Sequence, residues 1–539
     1  MTSHWRDRAA TTFQCQKQPA SSSRGMVVSN HPLASSAGAE MLAAGGNAID
    51  AAIATAVALT VVEPTSNGIG SDAFALVWND SRLHGLNASG RAPRLATLDA
   101  YRSRGYDMVP ELGWAGVTVP GAVSAWAELH ERFGRLAFAS LFESAIELAE
   151  GGFPVSPVIA RFWARAHHDY RTRADGPEFE GWFSTFAGGG RTPSAGQLAR
   201  LPDHAASLRS IAASGGRSFY EGELADRIDA FSRATDGYLR GDDLAAHRAQ
   251  WVEPIGTNYR GFDVWEIPPN GHGISALSAL NILEGFEFDP TSFDDPRAWH
   301  LQIEAMKLAF ADSMAYVADP EVVDVPIAGM IDKAYAAQRR SLITDEASVP
   351  GPGKPPRGGT VYLCTADGEG NMVSFIQSNY QGFGSAIVVP RTGIAMQNRG
   401  ANFSLVPGHP NALAPGKRPY HTIIPGFLTR GGEAVGPFGV MGGFMQPQGH
   451  LQVVLRTVDQ RLHPQAALDA PRWRWEKGRV VWLEHRTPPA IVDDLRARGH
   501  EVVLVREPSA FGRGQIIWRH GDALATGSES RADGQALVW

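Results

Sequence analysis

Arg357-Gly-Gly-Thr-Val-Tyr-Leu-Cys-Thr-Ala-Asp-Gly-Glu-Gly-Asn-Met-Val-Ser-Phe-Ile-Gln-Ser378 has the form of a β-hairpin, two runs of strand formers around the five-residue turn Asp367–Asn371. Regular antiparallel pairing across that turn sets Ala366 opposite Met372 and carries Thr360 opposite Ser378. Directly opposed residues hold their Cβ atoms about 4.5–5.5 Å apart, close enough for two hydroxyls, or a hydroxyl and an amine, to share a hydrogen bond. The run before it, Val349-Pro-Gly-Pro-Gly-Lys-Pro-Pro-Arg-Gly-Gly359, is the strongest composition break in the chain. It delivers one threonine to the first position of a strand.

Two readings of that threonine stand side by side. In the structural one, a β-branched residue suits a strand, Ser378 pairs with it, and the Pro/Gly run is a plain linker. In the chemical one, Thr360 is a nucleophile exposed by cleavage after Gly359. A hydroxyl is a weak nucleophile at its own pKa, and a freed α-amine, with a reference pKa of about 7.7–8.0, can serve as the base on the same residue. Gly358-Gly359 has no side chain to block attack on the Gly359 carbonyl and permits strained backbone angles. Attack by the Thr360 hydroxyl exchanges the amide for an ester and frees the α-amine, water hydrolyses the ester to release the Gly359 carboxylate and the hydroxyl, and the Pro/Gly run lets the severed end withdraw.

Composition narrows the partner class. At 539 residues the chain is long enough for several domains or for one large layered body, and 43% hydrophobic with 19% charged residues are globular proportions. A formal charge of −7 gives no electrostatic footprint for nucleic acid or an anionic membrane, which leaves small molecules. Cys15 and Cys364 are the only cysteines, so there is no disulfide framework or cysteine zinc site, and a reducing, cytoplasmic setting is expected. Residues 1–25 lack the apolar core of a secretory signal and read as a flexible tail. The most apolar uncharged run, Ala51–Val62, is shorter than the roughly 20 residues of a membrane span.

Along the chain, a strand is predicted at Met26–Asn30, then helices over Pro32–Ala44, stopped by Gly45-Gly46, and Asn47–Val62, with Asn47 as cap and Pro64 closing. Strands follow at Ala73–Trp78 and Leu83–Leu86. Helical periodicity marks Ala122–Phe133, Leu141–Glu150 and Ala298–Ala318. After the Pro/Gly run the pattern turns to strands, at Gly426–Leu428, Phe438–Met441, Val480–Leu483, Val502–Val505 and Gln515–Trp518, with helices from near Gln448 and over Pro489–Arg498. Gly68-Ile-Gly-Ser-Asp-Ala73 fits a relaxed dinucleotide pattern without a following helix, and neither an HExxH zinc motif nor a G-x-S-x-G elbow occurs, so no cofactor or metal is expected. His167-His168 reads as solvated, and His421 and His450 as structural rather than catalytic.

Gly359-Thr360, the Asp367–Asn371 turn and the spacing to Ser378 resemble the cleavage site and hairpin of γ-glutamyltranspeptidases, autoprocessed members of the N-terminal nucleophile hydrolases. His31-Pro-Leu-Ala-Ser35, Gly45-Gly-Asn-Ala-Ile-Asp-Ala-Ala52, Val62-Glu-Pro64 and Gly68-Ile-Gly-Ser-Asp72 are similar to the family's early helices and the turn after them, and the similarity spans about residues 25–535. The resemblance implies an α/β (α+β) fold, an αββα sandwich with the nucleophile on a central strand. It implies a large, mostly helical subunit 26–359 and a small subunit 360–539 that stay together as one compact body after cleavage at Gly359-Thr360. It also implies Thr360 as nucleophile, Ser378 as its hydroxyl partner, and Gly442-Gly443 as the pair whose N–H groups form an oxyanion hole.

Departures bear on the substrate. The transpeptidases carry an arginine for the substrate α-carboxylate where this chain has Ser89; an arginine stands two positions later, at Arg91, free either to reach the same pocket or to pair with a structural carboxylate. Asn402 occupies the place of an acidic residue for the substrate amine, Tyr380 that of an asparagine, and His421-Thr422 that of a serine pair. A neutral Asn cannot compensate a buried ammonium. Ser89-Gly-Arg-Ala-Pro93, Tyr380–Ser385, Arg418–Pro425 and Met445–His450 are similar instead to the amidohydrolase branch that includes oxamate amidohydrolases and glutaryl-cephalosporin acylases. The expected function is hydrolysis of the amide of a small carboxylate-bearing substrate through an acyl-enzyme, with Arg91 anchoring the carboxylate. The alternatives are a true γ-glutamyl hydrolase or transpeptidase and an unprocessed, non-catalytic binding protein; pairing of two processed units is left open.

Overall fold

The computed structural model describes residues 17–290, 292, 295–355 and 366–539, so Gly359 and Thr360 lie outside the described residues, as does most of the expected tail. Four layers stack in the order helix, sheet, sheet, helix, the mixed α/β sandwich implied by the resemblance.

The larger sheet has seven strands in the order Ser21–Ser22, Ala523–Ser528, Arg513–His520, Glu433–Met441, Gly426–Arg430, Phe262–Glu266, Ile255–Tyr259. Successive side chains along a strand face opposite sides, and here both sides are apolar. Phe427 and Ile517 point toward the second sheet layer, where Phe427 stacks on Trp78 with ring centroids 5.9 Å apart. Leu428, Ile516 and Trp518 point outward, onto the core shared with helices Ile274–Leu283, Pro296–Tyr316 and Gln446–Val458.

The second layer is built of two short sheets. One runs Ala366–Asp367, Gly25–Ser29, Gln535–Val538, and the other Met372–Ser378, Asp72–Asn79, Arg82–Ala88, Gln250–Val252. Helices Pro32–Ala43 and Ala48–Val62 cover this layer. The second is apolar nearly all round, and all but one of its residues are buried, as such a helix requires. Asn47 caps it by accepting from Ile49 N and Asp50 N at 2.9 and 3.0 Å.

Most predicted elements appear within a residue or two of the expected bounds. Of the hairpin's first strand only Ala366–Asp367 is described. Ala366 pairs with Met26 and Met372 with Trp78, and among the described residues no ladder joins Ala366 to Met372. The turn between them closes in the predicted register, Asp367 N donating to Asn371 O at 2.6 Å, and the Asp367 side chain reinforces it by accepting from Glu369 N, Asn371 N and Asn371 Nδ2 at 2.7–2.9 Å. Its second oxygen also accepts from Ala48 N at 3.0 Å, fastening the turn to the start of the buried helix. The register that would set Thr360 against Ser378 lies outside the described residues.

Charge is buried in one place for structural ends. Arg531 bridges Glu529 at 2.6 Å and Glu484 at 2.5 Å, and Arg472 bridges Glu529 at 2.8 Å, all four side chains being almost fully buried. Burial alone would raise the Glu529 pKa, but the two guanidiniums hold it at about 2. Among the described residues no helix is long and apolar enough to cross a membrane.

Candidate active site

The Met372–Ser378 strand ends beside the Gly68–Asp72 turn, with Ser378 opposite Asp72. The turn approaches a neighbouring backbone so closely that a Cβ on Gly70 would collide with the Ala395 carbonyl. Ser71 Oγ donates to Asn379 Oδ1 at 2.8 Å, and Asn379 N donates to Ser66 O at 3.2 Å, which fixes the chain just past Ser378. Ser378 Oγ accepts from Tyr380 N at 2.8 Å. Tyr380 itself has φ of +76°, a left-handed conformation that is costly for a bulky residue and that recurs at functional sites.

Behind this wall sits a buried polar group of four. Asp72 accepts from Gly90 N at 3.1 Å and from His421 Nε2 at 3.1 Å. Ile423 N donates to His421 Nδ1 at 3.4 Å, so the imidazole is neutral with its proton on Nε2. Burial first, then the Arg399 charge, holds the His421 pKa well below its usual value. Burial pushes Asp72 up to about 7, with the Arg399 charge opposing. Arg399 is fully buried, donates from Nη1 to Thr422 Oγ1 at 2.6 Å and lies 4.4 Å from the centre of the Tyr380 ring. Desolvation lowers its pKa to about 10, which still leaves it charged at neutral pH.

Across from Ser378, the Glu433–Met441 strand runs into the Gln446–Val458 helix through Gly442 and Gly443, with φ of +143° and +60°. Among the described residues neither glycine N–H has an acceptor. Two free N–H groups between a strand end and a helix start are donors aimed at negative charge. Ser378, Tyr380, Thr422, Gly442 and Gly443 all line one cavity of about 750 Å³ between the sheet layers, whose wall also includes Met26 and Val27.

Of the other residues singled out from sequence, His421 and Asn402 stand behind that wall, His421 entirely buried and the Asn402 carbonyl accepting from Asn411 Nδ2 at 2.7 Å. Arg91 takes the structural course: it pairs with Asp319 at 3.3 Å and Glu321 at 2.8 Å, donates to Gly416 O, and is absent from the cavity wall. His450 is likewise bound, to Glu266 at 2.6 Å. Sequence reasoning passed over Arg399 and Asp72. The available signal for Arg399 was that it is the sole Asp, Glu, Lys or Arg between Thr392 and Gly416, three positions before the Asn402 that drew attention.

Comparison with known proteins agrees with this architecture. The acylase ACY 1 proenzyme of Pseudomonas sp. strain SE83 is 37% identical over 98% of this chain and 95% of its own length. The oxamate amidohydrolase proenzyme of Klebsiella pneumoniae is 36% identical over 96% of this chain and 98% of its own. A crystal structure of a cephalosporin acylase from Bacillus halodurans superposes with a TM-score of 0.95 at 55% identity, covering 99% of both chains. A sequence profile of gamma-glutamyltranspeptidase matches residues 34–539. With the paired glycines, the Ser378 strand end and the Gly68–Asp72 turn gathered on one cavity, the chain belongs to the gamma-glutamyltranspeptidase family.

Proposed function

We propose that this protein is an autoprocessed amidohydrolase that uses Thr360 as an N-terminal nucleophile on the amide of a small carboxylate-bearing substrate. The observation that carries the reading is the convergence of Ser378 and the acceptor-free N–H groups of Gly442 and Gly443 on one cavity. Ala366, six residues after Thr360 in the sequence, is paired to Met26 on that cavity's wall.

The reaction runs in two halves. Thr360 Oγ1 attacks the amide carbon while its proton passes to the residue's own α-amine, with Ser378 orienting the hydroxyl. Negative charge developing on the carbonyl oxygen is met by the two glycine N–H groups. Collapse breaks the C–N bond, the leaving amine takes the proton from the α-ammonium, and an acyl ester remains on Thr360. Water, deprotonated by the same α-amine, then attacks the ester and releases the acid. His421, buried and donating to Asp72, positions the wall rather than moving this proton.

A γ-glutamyl substrate brings an ammonium group. The nearest buried charge to Tyr380 is the Arg399 cation, and Asn402 offers no carboxylate, so the site disfavours that group and suits an acyl chain ending in a carboxylate alone. Oxamate, the substrate named for the Klebsiella pneumoniae relative, is an amide beside a carboxylate and carries no ammonium. Intact mass of the purified protein is expected to show fragments 1–359 and 360–539, and Thr360→Ala a single chain without activity. Glutaryl anilide hydrolysis and ammonia release from oxamate, run beside a γ-glutamyl anilide, test the substrate class. An uncleaved chain that hydrolyses amides, or faster turnover of the γ-glutamyl anilide, would refute the reading.

A further inference from the structure

Arg399 carries a charge that, among the described residues, only the Asp72 carboxylate offsets, and without an ion pair. Its side chain has no exposure, and no carboxylate lies within salt-bridge distance among the described residues. Its fixed contacts use only part of the guanidinium. Nη1 is spent on Thr422 Oγ1 at 2.6 Å, and one face is covered by the Tyr380 ring at 4.4 Å. Nε and Nη2 are buried without a hydrogen-bond partner.

Those two nitrogens are the side-on edge of the guanidinium. Their N–H bonds run parallel, with a spacing that matches the two oxygens of a carboxylate. A buried donor left unmade costs more than the bond is worth when made, and a buried charge without a partner costs more still. Such an arrangement is stable only when something arrives to complete it. Arg399 itself stands behind the wall of the candidate active-site cavity, but both groups that hold its guanidinium, Tyr380 and Thr422, are on that wall, so the cavity is the side from which a partner reaches it. The one anion that acts on Arg399 from within, Asp72, is already committed to Gly90 N and His421.

We infer that Arg399, rather than Arg91, binds the carboxylate of the substrate's acyl part, side-on through Nε and Nη2, and thereby selects acyl groups that end in a carboxylate. This rests on the amidohydrolase reading for the identity of the substrate. Tyr380, in its left-handed conformation, lays its ring on the guanidinium face, while the edge that carries Nε and Nη2 is left without a hydrogen-bond partner among the described residues. Arg91 is unsuited to the task because two carboxylates already occupy it.

The test uses processed enzyme and two anilides of equal chain length, glutaryl and pentanoyl, which differ by the distal carboxylate alone. In Arg399→Gln, kcat/KM for the glutaryl anilide is expected to fall by at least about 100-fold, mostly through KM, as for loss of two charge-assisted hydrogen bonds. The pentanoyl value is expected to stay within about threefold. Arg399→Lys, which keeps the charge and loses the fork, is expected to fall about tenfold on the glutaryl substrate and serves if the Gln variant does not fold or cleave. Calorimetric titration with glutarate, which is not turned over, reads the same contact without catalysis. Equal losses on both anilides, or unchanged glutarate binding in the processed variants, overturns the inference. Wild-type enzyme that binds glutarate through Arg399 and hydrolyses neither anilide would instead overturn the amidohydrolase reading and leave the assignment of Arg399 standing.

Discussion

Gly442 and Gly443 are adjacent glycines in the same loop, yet alanine should affect them very differently. At Gly443 an added Cβ meets nothing within 4 Å, and φ of +60° is the left-handed well that an alanine enters for about 1–2 kcal/mol. The backbone can hold its course there and the N–H keeps its direction. At Gly442, φ of +143° is closed to any L residue, and the Cβ would stand 3.2 Å from both Gly512 Cα and Met445 Cβ. Rotating φ back to an allowed value turns the two N–H groups away from a common point. Loss of one oxyanion donor is worth roughly 10²–10³ in kcat, about 2.7–4 kcal/mol of transition-state stabilisation. Gly442→Ala is therefore expected to lose that factor in kcat with little change in KM, since the donors act on charge that exists only in the transition state. Gly443→Ala is expected to keep kcat within about tenfold and to lose roughly 1 kcal/mol of stability. Steady-state hydrolysis of a glutaryl anilide, corrected for the cleaved fraction by mass spectrometry, compares them. A Gly442→Ala enzyme turning over at the wild-type rate, or two variants equally impaired, would show that these N–H groups do not meet the oxyanion.

Asp367→Ala removes the acceptor of four hydrogen bonds that join the turn to the Ala48–Val62 helix, and should cost about 2–4 kcal/mol, read as a lower denaturant midpoint. Arg531→Met leaves the buried Glu484 and Glu529 short of a partner and should cost about 3–5 kcal/mol, whereas a neutral result would mean the cluster is not desolvated. His204, buried, has its pKa lowered to about 4 by burial. A base with a depressed folded pKa contributes stability that is intact above its unfolded value of about 6.5 and is lost as pH falls through the folded value, here about 1.4 kcal/mol per pH unit over that window. His204→Leu should flatten the acid limb of a stability–pH curve by roughly 3 kcal/mol between pH 6.5 and 4, and an unchanged limb would contradict the neutral assignment.

Elements with local causes were legible before any coordinates. Asn47 ahead of an alanine-rich run announces the Ala48–Val62 helix because the cap and the helix are within one turn of each other. Gly442-Gly443 announced a tight strand-to-helix passage for the same reason. Partnerships across the chain were not legible. The Asp367–Asn371 turn closes locally, as its length predicts, but the neighbours Ala366 and Met372 take in the sheets, Met26 and Trp78, lie some 300 positions away and leave no local mark. The two arginines show the limit most clearly. Arg91 and Arg399 are equally plausible anchors by residue type, and what separates them is that Asp319 and Glu321 fold against the first while no carboxylate among the described residues pairs with the second. Charge balance at a buried site is a property of the assembled core, and neither flanking sequence records it.

The strand pairings place a demand on the life history of the protein. Every one of the three sheets in the central layers takes strands from both sides of residue 359: Gly25–Ser29 lies between Ala366–Asp367 and Gln535–Val538, Met372–Ser378 lies against Asp72–Asn79, and Gly426–Arg430 against Phe262–Glu266. The fragments 1–359 and 360–539 that the proposed cleavage gives are thus not two modules that meet at a surface, since neither owns a complete layer. Made as separate chains, each would present unpaired sheet edges to solvent and aggregate before it met the other. Synthesis as one polypeptide supplies the missing strands at high effective concentration, so the covalent link does its work during folding and becomes dispensable only once the layers are closed.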